Sequence, residues 1–435
     1  MNAILLLKPL LLFFYISCAQ PVATEPTPGG NNHLAASPGA VSKNNTISPD
    51  HTESKIIPAA ERLDRYLPLI RGKAVAVFAN HTSLIGAEHL VDVLLAKGVD
   101  IKKIFAPEHG FRGVADAGEK VRNSTDPKSG LPIVSLYGQK RKPSKEDLDD
   151  VDLILFDIQD VGVRFYTYIS SLQDLMEAAI QYNKPLIVLD RPNPNGFYVD
   201  GPVLKPAFKS FLGMQPIPVV YGMTIGEYAN MLLGEKWISS SLHGKLSSTP
   251  HADLVTVIPC ANYTHESKYI LPVKPSPNLP DMASIYLYPS TCFFEGTLLS
   301  EGRGTDKAFQ VFGHPSLPKN LFSFTPRSIE GAKNPKLLNQ LCYGWNEGGS
   351  NEEVLEKTGG KLQIKWLIEA YRLFPGKDSF FLNKGANFNR LAGNDQLIKQ
   401  IKQRLSEQEI RQSWQADLDQ FKKIRKKYLL YQDFE

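Results

Sequence analysis

The sequence predicts an α/β fold in which a Rossmann-like domain with a parallel sheet precedes a second, smaller α+β domain. Three observations lead there. Between residues 56 and 262 short apolar runs alternate with amphipathic stretches, and each run stops on charged or amide side chains. Beyond residue 262 the chain turns to short apolar pieces rich in proline and aromatic residues. Such alternation is how βαβ units read in a sequence, because a parallel strand is buried on both faces. The 435 residues also exceed what one hydrophobic core usually holds, so two domains are expected.

The chain opens MNAILLLKPLLLFFYISCAQ, an apolar run too short to span a bilayer comfortably but suited to export. Its end at Ser17-Cys18 resembles a bacterial lipoprotein signal, which would make residues 1–18 the signal and Cys18 the lipidated residue. Cleavage near Ala19 and an uncleaved anchor are the alternatives. Residues 19–55 are rich in Pro, Gly, Ser and Asn and hold too few large apolar groups to offset the entropy of ordering, so they read as a flexible tether. The expected location follows: the periplasmic side of a bacterial envelope membrane, inner or outer, with a lipid anchor as the membrane contact.

The Rossmann-like domain is placed at residues 56–262. An amphipathic segment, IIPAAERLDRYLPLIRG, leads into a strand at Ala74–Phe78 that stops at Asn80-His81-Thr82. A helix is expected over Ala87–Lys97, with Gly98 as its break. IKKIFAPEHG is the next strand, ending at Pro107 and delivering Glu108 and His109. VDLILFDIQD, a helix over Thr167–Tyr182 and the strand in KPLIVLDRPNP follow. Ile217–Val220 and Asp253–Ile258 are weaker strands on either side of the helical TIGEYANMLLGE. The domain over residues 263–435 closes on a helix in which Trp414, Leu418, Phe421, Ile424 and Tyr428 recur at helical spacing. Its basic face, Lys422 to Lys427, reads as a solvated surface.

A formal charge of +4 over this length excludes an extensive polyanion-binding surface, and no nucleic-acid partner is expected. The first strand is followed by NHTSLIG, not GxGxxG, and GxxxxGK[ST] is missing, so no nucleotide cofactor is expected. Glu108-His109 is not HExxH, and no metal is expected, although acidic and imidazole groups from separate strands could converge on one. GxSxG is absent as well. Cys260, Cys292 and Cys342 are an odd, widely spaced set that fits neither a zinc pattern nor a disulfide scaffold. One pair could bridge; buried free thiols are the other reading.

Ligands of open parallel sheets bind beyond the carboxyl ends of the strands. There the sequence puts Asn80 and His81, Glu108 and His109, Asp160, Arg164 and Tyr166, then Asp190, Arg191 and Asn193. Four such clusters in succession predict one crevice. Glu108 heads the candidates: Pro107 holds the backbone before it extended, and a glutamate raised towards ~6 to 7 by burial or a neighbouring carboxylate can protonate a departing sugar oxygen. Glycoside hydrolysis usually takes a second carboxylate. Asp160, Glu295 and Glu301 are the candidates, and spacing does not choose among them. In CFFEGTLLSEGRGT both glutamates lie beside glycines, and Arg303 stands between Gly302 and Gly304.

FAPEHGFRGVADAGEKV, LPIVSLYG, LFDIQDVGVRFYTYISSL, VLDRPNPNG, YGMTIGEYA, FFEGT…SEGRGT and WQADLDQF…RKKYLLY, in that order, resemble the exo-β-N-acetylmuramidase family. The resemblance covers residue 56 to the C-terminus. VLDRPNPNG departs from the family pattern, which carries an isoleucine and an extra glycine after the second proline. The resemblance implies a Rossmann-like domain, a smaller C-terminal domain and a cleft between them. It also implies release of N-acetylmuramic acid from the non-reducing ends of peptidoglycan fragments, with Glu108 as catalytic carboxylate and His109, Asp160, Arg164, Tyr166 and Glu295 around the sugar. That sugar carries a lactyl carboxylate, which a guanidinium can hold with two parallel hydrogen bonds; Arg164, Arg191 and Arg303 are the candidates. The alternatives are a noncatalytic lipoprotein that holds cell-wall fragments and a metal-dependent envelope esterase or amidase.

Overall fold

The computed structural model describes residues 54–108, 110–112 and 123–435. The export segment with Cys18, most of the linker, and His109 lie outside the described residues. Six parallel strands form the centre: β1 (Ala74–Ala79), β2 (Asp100–Ala106), β3 (Pro132–Ser135), β4 (Leu153–Asp157), β5 (Leu186–Leu189) and β6 (Val255–Ile258). Across the sheet they run 3-2-1-4-5-6, and Ser124–Thr125 pairs antiparallel outside β3. This is a doubly wound α/β order, and its direction reverses between β1 and β4.

The apolar runs read as strands because both faces of the sheet are covered. Val75, Val77 and Ala79 of β1 join one core with Ile104, Leu155 and Leu189, against helices α1 (Leu63–Ile70) and α2 (Leu90–Ala96). Ala76 and Phe78 point the other way, with Phe105, Phe156 and Val188, into a larger core. Helices α3 (Tyr168–Gln181) and α4 (Ile225–Gly234) supply much of that second layer. Thr224 and Glu227 close a reciprocal cap at the start of α4, the T-x-x-E pattern in TIGEYA. Two expectations need correction. The helix expected from Ala87 begins at Leu90, because Leu84–Ile85 and Glu88–His89 form a small hairpin first. Ile217–Val220 is no strand of the sheet; Val220 only bridges Val163 and Asp200.

Past residue 262 the first helix is α5 (Met282–Thr291), which runs into a 3₁₀ turn, Cys292–Gly296. A small antiparallel sheet follows, with β7 (Val311–His314) and β8 (Phe322–Phe324) flanking β9 (Cys342–Asn346). Its Phe294, Phe309, Phe312 and Trp366 belong to the same large core as α3 and α4, so one apolar mass spans both domains. The last helix, α6 (Gln415–Arg425), buries Leu418 and Phe421 as its spacing predicts. Arg425 departs from the solvated basic face: it is buried, donates to the Gly222 carbonyl at 2.8 Å and pairs with Asp433. Cys260, Cys292 and Cys342 are free, buried thiols.

Candidate active site

A cavity of about 290 Å³ opens where the sheet meets the second domain. Glu108 enters it directly after β2, beside the strand-order reversal. Its Oε1 accepts a hydrogen bond from the Tyr137 hydroxyl at 2.8 Å, and its Oε2 one from the Thr167 hydroxyl at 3.2 Å. Tyr137 lies just past β3, and Thr167 immediately precedes α3, so three consecutive connections of the sheet fix one carboxylate. Burial and the adjacent Glu108 push the Tyr137 hydroxyl above its ordinary range, so it stays a protonated donor. Either hydroxyl can rotate to accept instead, so both can hold Glu108 whether or not it carries a proton.

Tyr166, Tyr168, Phe165 and, from the second domain, Tyr288 and Phe309 line the walls. Their rings meet edge to face, with Tyr166–Tyr168 centroids at 4.9 Å and Tyr288–Phe309 at 4.8 Å. Tyr166 donates to the Pro275 carbonyl at 2.8 Å, and a His81 ring nitrogen lies 2.9 Å from the Lys274 carbonyl. Both contacts tether the segment that brings Ser276 and Asn278 into the cavity.

Glu295 faces the same cavity from the 3₁₀ turn, paired with Arg303 at 2.5 Å. Gly302 and Gly304, both at φ +81°, set Arg303 in place. A Cβ at Gly304 would sit 2.5 Å from the Arg327 carbonyl, so this loop demands glycine. Glu301 is buried behind the arginine, 2.8 Å from Lys336 and 3.5 Å from Arg303. The two acids are driven apart. Burial raises the Glu295 carboxyl above the usual range, with Arg303 opposing and Glu301 reinforcing. For Glu301 burial is outweighed by Lys336 and Arg303, and the carboxyl is held below its usual range.

The chain is similar to known proteins over most of its length. Residues 75–283 match the N-terminal part of exo-β-N-acetylmuramidase NamZ, and residues 286–431 its C-terminal part. The chain belongs to the NamZ family. It is 36% identical over 431 residues to the peptidoglycan β-N-acetylmuramidase NamZ of Bacillus subtilis, covering 94% of this chain and 95% of that protein. Two crystal structures of DUF1343 family proteins from Bacteroides fragilis share the fold. One is 46% identical with a TM-score of 0.77, covering 87% of this chain and 100% of that one; the other is 27% identical with a TM-score of 0.71, covering 87% and 99%.

Within this NamZ-family framework several expected site residues turn out to hold the scaffold. Arg164 is fully buried and donates to the carbonyls of Pro202, Ile217 and Leu391 at 2.7–2.8 Å. With no counter-charge there, burial pulls its guanidinium down to about 9. Arg191 is locked onto Asp157 through two bonds of 2.5 and 2.7 Å. Of the three arginines considered for a substrate carboxylate, only Arg303 lines the cavity.

Asp160 and Asp190 are also buried. Asp160 accepts from Tyr221 and from the Gly162 amide, and Asp190 from Thr224, Tyr431 and the Gly226 amide. Burial pushes each carboxyl up to about 6. Asn193 bonds the Met223 carbonyl and the Asn195 amide. Asn80 folds its own turn through Thr82 and reaches the cavity only through the Tyr168 hydroxyl, at 2.9 Å. Sequence reasoning missed Tyr137, Thr167, Tyr288, Ser276, Asn278 and Lys336. LPIVSLYG and RFYTY contain the first two, but nothing in those strings links them to Glu108. Among the described residues no three His, Cys, Asp or Glu side chains gather as metal ligands, and no helix is long and apolar enough to cross a membrane.

Proposed function

We propose that this chain is an exo-acting glycoside hydrolase that releases N-acetylmuramic acid from the non-reducing end of peptidoglycan fragments such as MurNAc-GlcNAc. The observation that carries the reading is the pair Glu108 and Glu295 on one small cavity whose aromatic walls suit the faces of a sugar ring. Membership of the NamZ family and the name of the Bacillus subtilis relative point to the same substrate class. Glu108, held by hydroxyls that tolerate either protonation state, gives its proton to the departing glycosidic oxygen. Glu295, held by a guanidinium that can only donate, stays anionic. Its raised basicity suits it to support the positive ring, or to activate water or the substrate's acetamido group on the other face. Arg303 is the cation within reach of the lactyl carboxylate. An export signal ending at Cys18 would tether the enzyme to the periplasmic side of an envelope membrane; the mass of the mature N-terminal peptide decides that point.

The test separates the acid from its partner. Glu108→Gln lowers kcat/KM on MurNAc-GlcNAc by about 10²- to 10⁴-fold, the usual worth of general-acid help. It does far less to an aryl muramoyl glycoside, whose phenolate leaves without a proton. Glu295→Gln harms both substrates. The reverse pattern exchanges the two roles. Full activity in both variants removes the assignment, and fragment binding by an inactive wild-type protein would mark a noncatalytic binder.

A further inference from the structure

A second cavity, of about 670 Å³, lies next to the first and takes no part in the chemistry just described. The partition between them is the tip of a tight turn closed by Ser210 and Gly213, whose backbones bond each other at 3.0 Å in both directions. Of the two tip residues, Leu212 lines the Glu108 cavity and Phe211 lines the second one. Helix α3 runs past both: Tyr168 faces the first, while Gln173, Asp174 and Glu177 line the second. The six steps from Tyr168 to Asp174 correspond to a rise of about 9 Å along the helix. A few linked sugars cover that distance.

The chemistry of the second cavity is that of a carbohydrate platform with a cationic rim. Phe211 and Trp237 are partly exposed in its walls, and the Arg141 guanidinium lies 4.4 Å over the Phe211 ring. At the floor Gln215 donates to Gln173 at 2.9 Å and to the Trp237 carbonyl at 2.6 Å. Lys142 is occupied there by Glu177 and, at 3.4 Å, by Asp174. Arg141, Lys209 and Lys236 are exposed on the rim and have no acidic partner at ion-pair distance among the described residues. The rim is therefore short of anions, beside rings that favour the flat faces of sugars.

We propose that this cavity binds the continuing glycan on the leaving-group side of the scissile bond, where every second sugar carries a lactyl carboxylate. The proposal rests on the assignment of Glu108 and Glu295 as the cleavage site and adds a second binding region, which makes the enzyme prefer chains to disaccharides. The carboxylate of the next muramoyl unit meets Arg141, Lys209 and Lys236, and a sugar face rests on Trp237 or Phe211.

The experiment uses two peptide-free substrates, MurNAc-GlcNAc and the tetrasaccharide (MurNAc-GlcNAc)₂, with the ratio of their kcat/KM values as readout. The wild type prefers the tetrasaccharide. Lys209→Ala with Lys236→Ala, both exposed and harmless to folding, lowers that preference about three- to tenfold, as two solvated charge contacts allow, and raising salt does the same. Trp237→Ala lowers it about fivefold, the scale of a ring contact. Equal efficiency on both substrates in the wild type, or variants that leave the ratio unchanged, overturns the second site. A ratio that shifts only when stem peptides are attached also overturns it, in favour of a peptide pocket. Titration of Glu108→Gln with both oligosaccharides separates the two readings: tighter tetrasaccharide binding without any wild-type hydrolysis keeps the second site and removes the reaction.

Discussion

At the carboxyl ends of β4 and β5, Asp157 and Arg191 close on each other within 2.5 Å and are sealed from water, whereas Glu108, at the end of β2, opens onto a cavity. Both groups stand where a doubly wound sheet gathers its ligands, and they draw on the same residue types. What separates them is access: one pair is sealed inside the fold, and the other carboxylate lies on a cavity wall. The Asp157–Arg191 pair uses its guanidinium on one carboxylate and the Leu84 carbonyl, leaving little for a ligand. Among the contacts that hold Glu108 are two reversible hydroxyls, those of Tyr137 and Thr167. Polar residues at strand ends therefore divide into those that fasten the loops and those that the fastened loops present.

The largest effect expected from this contrast is on the fastening side. Arg191→Met leaves Asp157 as a buried charge without its partner, which typically costs 3–5 kcal/mol. Its denaturation midpoint should fall markedly while kcat per folded molecule stays near the wild-type value. A variant that folds normally but loses activity would move Arg191 into the reactive group and break the comparison.

Asp160 gives a smaller effect of opposite sign. The fold raises its carboxyl from 3.8 to about 6, with burial as the main cause. The native state thus prefers the protonated form; the cost of ionisation is absent below the unfolded value and complete above about pH 6. At most it reaches about 3 kcal/mol. Asp160→Asn removes that cost and keeps an oxygen for the Tyr221 hydroxyl and the Gly162 amide. The variant should be as stable as the wild type at pH 7.5 or more so, with any gain shrinking as the pH falls towards 4. Its activity should stay within about twofold, since a group this buried touches no substrate. Thermal melts across that range, with activity at pH 7.5, check both halves.

The strands were legible because burial on both faces leaves continuous apolar runs, and α3 and α4 because their lengths and caps are local. The edge was not: Pro132–Ser135 is short, half-buried and headed by proline, so only its neighbours make it a strand. Among the site candidates Glu108 was legible from Pro107 and the strand before it. Arg164 was misread because its fate depends on Gly213 and on Gly393, far away in the chain, which leave room for its side chain. The choice of Glu295 over Glu301 as the cavity-facing acid depends on Lys336, which draws Glu301 inward from a separate loop. Such outcomes are decided by packing across the domains and leave no mark in local spacing.

Tyr137 offers the finest division between fastening and presenting, since its hydroxyl does nothing visible except hold Glu108. It is not among the residues that line the cavity, so removing that hydroxyl should leave substrate binding alone. Tyr137→Phe keeps the ring and deletes one hydrogen bond, which is worth about 1 kcal/mol. Thr167 still holds the other carboxylate oxygen. The expected result is a kcat on MurNAc-GlcNAc lowered about five- to tenfold with KM almost unchanged, because the proton donor is less well aimed. An aryl muramoyl glycoside, which needs no proton, should be hydrolysed at the wild-type rate. If KM rises instead, Tyr137 belongs to the sugar-binding wall; if both substrates suffer alike, its hydroxyl supports the fold around the cavity and not the aim of Glu108.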